Sequence, residues 1–297
     1  MPAQPTQSVP DADPTMSHAR VATNGVTLHV AQAGPENGPL VILLHGFPDA
    51  WFGWERVMRD LARRGYRVWA PDQRGYNLSD KPHGLDAYRL DLLADDIAGL
   101  MDAAGSPQAY LAGHDWGAAV AWWVALRHPQ RVRKLAILNV PHPAVMLRHV
   151  RSSFAQMRKS WYIFFFQLPW LPEATVRANN WATGTRALTG SSRPGAFTAQ
   201  DLARYREAWS QPNAMTSMMN WYRAMLQRRP HMPPNPRIHV PTLILWGAQD
   251  QFLDASMAQM SADLCDDARL KLLPNVSHWV MQEEPALVAD ELAAFFG

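Results

Sequence analysis

Asp115 sits between Gly113 and Gly117 in the segment LAGHDWGAA (111–119), where an apolar run gives way to a helix-forming one. Small residues flanking one central residue, at the passage from strand to helix, form the G-x-S-x-G turn that lifts a nucleophile clear of a sheet, here with a carboxylate in the serine's place. A serine attacks acyl carbon and needs a base to take its proton. Asp115 has no proton to lose at pH 7. A carboxylate suits displacement at a saturated carbon instead, because the product is an ester whose carbonyl water can attack; serine would leave a stable ether. The substitution redirects the site toward alkyl electrophiles. The competing use of an aspartate at this turn is a helix N-cap.

The elements that must position Asp115 can be read from periodicity. Apolar runs of strand length occur at 41–46, 66–72, 109–115, 134–141, 242–247 and 269–274, as expected of parallel strands covered on both faces. Amphipathic helices lie between them: residues 51–64 align Trp51, Trp54, Met58 and Leu61 and stop at Gly65, and residues 88–104 align Leu93, Ile97, Leu100 and Met101 and stop at Gly105. A hairpin with an Asn24-Gly25 turn precedes them. The alternation predicts an α/β fold built on a mostly parallel, doubly wound sheet. It breaks over 142–236, a stretch without strand-like runs that holds five of the thirteen tryptophans and ends in the proline-rich PHMPPNPRIHVP. That stretch reads as a helical lid inserted after the fourth of the six runs, over the sheet edge where open α/β sheets bind ligands. The expected organisation is a disordered tail at 1–18, a core formed by 19–141 and 237–297, and the lid at 142–236.

Seven segments now carry a resemblance: HGFP (45–48), DQRGYNLSDKP (72–82), GHDWG (113–117), NVPHP (139–143), NWYR (220–223), LILWGAQD (243–250) and SHW (277–279). In order and spacing they resemble the epoxide hydrolases of the α/β-hydrolase fold, from about residue 20 to the end. An alkyl ester on Asp115 needs a general base aimed at water and an acid to orient that base. The resemblance places His278, after the last strand-like run, as the base, and Asp250 as its partner; Asp254 is the fallback acid. The chain order nucleophile, acid, histidine agrees with this fold. The backbone amides of Phe47 and Trp116 are expected to form the oxyanion hole, and the resemblance implies a cis Phe47-Pro48 peptide.

What leaves when Asp115 attacks decides the reaction. A halide leaves as an anion and is held by N–H donors, whereas an epoxide oxygen leaves as a basic alkoxide and needs an acid. Tyr162 and Tyr222 match the family's paired lid tyrosines, against the ordinary reading of a tyrosine in a Met-rich helical stripe as packing. Haloalkane dehalogenases share Asp115-Trp116, and lid tryptophans could hold a halide, but Phe47 replaces their usual loop donor. A non-catalytic ligand-binding protein on a hydrolase scaffold is the alternative of another class. The expected activity is hydrolysis of a small apolar epoxide by water to a vicinal diol, in a pocket lined by Phe47, Pro48, Trp116, Trp161, Phe164, Trp221 and Trp279.

Composition removes other classes. The 28 basic and 26 acidic residues give a net charge of +2 with no basic stripe, so nucleic acid is not an expected partner. Cys265 is the single cysteine, which excludes an internal disulfide. No residues have metal-ligand spacing and no glycine-rich phosphate loop precedes a helix, so the reading is free of metal and cofactor. With neither a signal-peptide core nor an apolar run of spanning length, the expectation is a cytoplasmic protein without a membrane span; a homodimer is compatible with the sequence. Asn77, where the family more often has glycine, and His142 are read as structural, and His114 as a satisfied core histidine.

Overall fold

The computed structural model describes residues 15–297. β1 (Ser17–Thr23) and β2 (Val26–Ala33) form a hairpin closed by Asn24 and Gly25, both at positive φ as a tight primed turn demands. They are followed by β3 (Leu40–Leu44), β4 (Arg67–Pro71), β5 (Ala109–His114), β6 (Val132–Leu138), β7 (Thr242–Gly247) and β8 (Ala268–Leu273). These make one eight-stranded sheet in the order β1-β2-β4-β3-β5-β6-β7-β8. β2 runs antiparallel to β1 and β4, and all later pairs are parallel. Every residue of β3, β5 and β7 is buried, because helices cover both faces. α1 (Glu55–Arg63) and α12 (Pro285–Phe296) pack on one face, and α2 (Leu90–Ala103) and α3 (Trp116–Arg127) on the other.

The chain leaves β3 toward β4 on one side and returns to β5 on the other. This reversal opens a crevice beyond the carboxyl ends of β3 and β5, where an open α/β sheet takes its ligand. Between β6 and β7 the chain forms α4 (Pro143–Ser152), α5 (Phe154–Lys159), α6 (Trp161–Phe165), α7 (Leu171–Gly190, with non-helical backbone at 178–181), α8 (Ala199–Ser210) and α9 (Ala214–Gln227). Thr198 and Asp201 start α8 with a reciprocal capping box. Three side chains hold this insertion over the crevice: Trp209 Nε1 donates to Pro48 O at 2.6 Å, Trp221 Nε1 to Arg74 O at 3.0 Å, and the Tyr205 hydroxyl to Asp49 Oδ1 at 2.8 Å. The core ends with α10 (Ser256–Ala262), α11 (Val280–Glu283) and α12.

The expected tail at 1–18 lies mostly outside the described residues, and its inner end differs. β1 already begins at Ser17, because Ser17 and His18 pair with Gln32 and Ala31 and the His18 ring stacks on His29.

Candidate active site

Asp115 stands at the tip of the turn from β5 to α3 with φ 50° and ψ −125°, a backbone a non-glycine residue holds only under constraint. Close packing supplies the constraint. A Cβ on Gly46 would lie 2.3 Å from the Cβ of Asp115, and one on Gly117 would lie 2.2 Å from Leu44 O, so both positions exclude a side chain. The carboxylate makes no cap bond to α3, which sets aside the N-cap reading. It accepts the Phe47 amide on Oδ1 at 2.7 Å, and its Oδ2 lies 3.5 Å from Nε2 of His278.

His278 follows β8, and its Nδ1 donates to Asp250 Oδ2 at 2.7 Å. Asp250 is fixed in turn: Oδ1 accepts the amides of Phe252 and Leu253 at 2.7 and 2.9 Å, and Oδ2 accepts Asn139 Nδ2 at 2.7 Å. The structure thus gathers half-buried Asp115 and buried His278 and Asp250 into one chain. Asp254 does something else: its Oδ1 accepts the Ser256 amide at 2.9 Å at the start of α10. The Phe47-Pro48 peptide is cis. Of the two expected oxyanion donors, the Phe47 amide points at Asp115, while the Trp116 amide makes no bond to the carboxylate among the described residues.

The insertion lays an aromatic wall over this chain. The Tyr222 ring, on α9, meets Trp116 at 4.9 Å, Phe47 at 5.2 Å and Tyr162 at 5.9 Å, all edge to face. Tyr162, on α6, also meets Phe252 at 5.9 Å, and Phe252 meets His278 at 5.2 Å. The two tyrosines therefore face each other above Asp115, and the Tyr222 hydroxyl oxygen accepts the Trp116 indole N–H.

Compared with known proteins, the chain matches the α/β-hydrolase fold family over residues 39–285. It is 48% identical to the AB hydrolase superfamily protein YfhM of Bacillus subtilis, covering 90% of this chain and 93% of that protein. With Epoxide hydrolase 4 of Homo sapiens it shares 36% identity over 93% of this chain and 78% of the relative, and with Epoxide hydrolase A of Mycobacterium tuberculosis 32% over 93% and 95%. The chain belongs to the epoxide hydrolases of the α/β-hydrolase family. A solved structure of an epoxide hydrolase mutant from Bacillus megaterium superposes with a TM-score of 0.85 at 30% identity, over 93% of this chain and 99% of that one.

Within this member of the epoxide-hydrolase family the electrostatics follow from the geometry. Burial alone would push the His278 imidazole down, but the carboxylates of Asp250 and Asp115 outweigh it and carry its pKa up to about 10. Burial would likewise raise Asp115, yet its hydrogen bond and attraction to His278 leave it below the ordinary carboxylate value. The resting pair is an imidazolium between two carboxylates. Burial, then the Asp115 charge, raises both Tyr162 and Tyr222, so their hydroxyls stay protonated.

The expectations for Trp161, Phe164 and His114 need amendment, and two further residues, Phe166 and Asn139, belong to the site. Trp161 and Phe164 do not line the inner wall: they are 63% and 56% exposed, because α6 turns Tyr162 and, one helical turn on, Phe166 inward. Phe166, which meets Phe47 at 5.4 Å and Tyr222 at 5.0 Å, takes their place, and the four-residue spacing from Tyr162 was its signal. Trp221 and Trp279 are buried around the site with their indole N–H groups committed to Arg74 O and Ser191 Oγ. His114 is only half satisfied: its Nε2 donates to His278 O at 2.8 Å, but Nδ1 has no partner, and burial lowers its pKa to about 3. Asn139 went unnoticed inside NVPHP; at φ 52° it ties Asp250 to the Gly247 amide, which its Oδ1 accepts at 2.8 Å. Asn77 is structural, donating to Asp72 Oδ2 at 2.9 Å.

Proposed function

We propose that the protein hydrolyses a small apolar epoxide to a vicinal diol through an ester on Asp115. The observation that carries this reading is the pair Tyr162 and Tyr222, protonated and facing each other above a carboxylate nucleophile. Asp115 attacks one ring carbon as the C–O bond breaks, and a tyrosine protonates the departing alkoxide. The imidazolium of His278 returns that proton to the tyrosinate and becomes neutral. Because the ester has no charge, His278 now faces one carboxylate instead of two, and its pKa falls. It can then take a proton from water, whose oxygen attacks the ester carbonyl while the Phe47 amide receives the developing oxyanion. Collapse expels the alkoxide, which takes the proton of the newly added hydroxyl to become the diol; the Asp115 carboxylate is restored beside the imidazolium, so the cycle closes with water as the only co-reactant.

Halide displacement by Asp115 is the second reading. It is disfavoured because Trp116, the one indole beside Asp115, bonds the Tyr222 hydroxyl, Phe47 offers no second side-chain donor, the indole N–H groups of Trp209, Trp221 and Trp279 already have backbone or side-chain acceptors, and Trp161 faces outward. A single turnover with enzyme in excess, run in ¹⁸O-labelled water with aryl and alkyl epoxides, tests the ester. Label in the peptide containing Asp115 supports it; label confined to the diol means that water opened the ring directly.

A further inference from the structure

Seven of the nine large hydrophobic residues exposed among the described residues lie between positions 147 and 171. Five of them, Trp161, Phe164, Leu168, Trp170 and Leu171, form one run through α6 and into α7, with Trp170 73% exposed. The charge of the same stretch is one-sided. Residues 143–190 contain six basic side chains, Arg148, Arg151, Arg158, Lys159, Arg177 and Arg186, against one acid, Glu173, in a chain whose charges otherwise nearly balance. That acid is buried and paired with Arg223 at 2.8 Å, so it neutralises none of the exposed cations. Arg158, Arg177 and Arg186 are exposed, and Trp170 and Arg177 share a wall of a surface cleft of about 770 Å³.

Scattered exposed apolar residues are normal, but a contiguous aromatic run set among cations marks an interaction surface. A second copy of this chain fits it poorly, because a twofold contact brings the same patch, with the same positive charge, against itself. Tryptophan and phenylalanine beside arginine suit an anionic lipid surface, the rings entering the headgroup boundary and the guanidinium groups meeting phosphate. We propose that this exposed run of the insertion docks reversibly on anionic membrane surfaces through Trp161, Phe164 and Trp170, assisted by Arg158, three residues before it, and Arg177, which shares the cleft wall with Trp170. The docking lies beyond the proposed reaction and does not depend on it. One consequence does rest on that reaction: α6 carries Trp161 and Phe164 outward and Tyr162 inward, so a docked molecule holds its site beside the phase in which apolar epoxides collect.

Flotation of the full chain with phosphatidylglycerol–phosphatidylcholine vesicles tests the proposal, with pure phosphatidylcholine vesicles as the comparison. The expected result is binding to the anionic vesicles alone, weakened by salt. The pair Trp161→Ser/Trp170→Ser and, separately, Arg158→Glu/Arg177→Glu should each lower the bound fraction about tenfold. All four side chains are exposed, so circular dichroism should match the wild type. Absence of binding to anionic vesicles, or binding that both variant pairs retain, overturns the proposal. So does a wild-type dimer in sedimentation velocity that the tryptophan pair dissociates, since a second copy would then cover this face.

Discussion

In the proposed reaction, the charge on His278 is controlled by a bond that the reaction itself makes. Two carboxylates hold the resting imidazole protonated, with a pKa of about 10, and the proposed esterification of Asp115 would remove one of them. Hydrolysis of the ester requires neutral His278, so its rate falls as pH drops through the imidazole pKa of the esterified state. Single-turnover hydrolysis should therefore show its acid-side inflection well below 10, and an inflection at or above the resting value contradicts the charge argument. Tyr162→Phe and Tyr222→Phe each leave one acid for the alkoxide. Stopped-flow measurement of ring opening should give about ten- to a hundredfold slowing for each and a larger loss for the pair, since a positioned general acid contributes about 10²- to 10⁴-fold. Wild-type alkylation rates in the double variant would remove the epoxide argument.

At the scale of elements, two buried ionisable groups join the insertion to the core and to itself. Asp49, in the loop after β3, accepts the Tyr205 hydroxyl of α8, its neighbour's amide at Ala50, and Gln282 of α11. Burial raises its pKa from 3.8 to about 7 despite these bonds. A carboxyl raised in the folded state stabilises most below its unfolded pKa, and that contribution is lost as pH rises through about 7. The loss is at most about 4 kcal/mol at 1.36 kcal/mol per pKa unit. Asp49→Asn should melt several degrees above wild type at pH 8, with the difference closing toward pH 4. The Gln282 Oε1, which has no partner, can accept the new amide once that side chain flips. A variant less stable than wild type at pH 8 contradicts this account. Arg223 donates to Phe166 O, Leu168 O and Glu173, tying the end of α6 to the α9 helix that carries Tyr222. Arg223→Met strands Glu173 and should cost about 3 kcal/mol in chemical unfolding, with slower ring opening. An unchanged unfolding midpoint would show that the pair does not hold the two helices. The arginine was visible in NWYR but its role was not, because Phe166, Leu168 and Glu173, which it ties to α9, lie 50 or more positions away.

Over the whole molecule, legibility followed the range of the interactions. The six parallel strands and the break after the fourth are local patterns, and the structure places them where periodicity does. The Gly113-Asp115-Gly117 turn was equally legible, since its shape is set within five residues. The facing of α6 was not: an aromatic-rich run of five residues offers apolar side chains in every direction, and only packing on Phe47 and Phe252 decides that Tyr162 and Phe166 turn in while Trp161 and Phe164 turn out. The same holds for Asn139, whose worth lies in contacts with Gly247 and Asp250 across the sheet edge. A ligand-binding protein on this scaffold would have no need of the complete chain from Asn139 through Asp250 and His278 to Asp115. The central claim is that Asp115 is alkylated by an epoxide and freed by His278. It is tested most directly by intact-protein mass spectrometry of His278→Gln after exposure to aryl and alkyl epoxides and, separately, to haloalkanes. The account predicts a stable gain of the whole epoxide mass, absent when Asp115→Ala is added; a gain equal to the haloalkane less hydrogen halide, or no adduct from any epoxide, would contradict it.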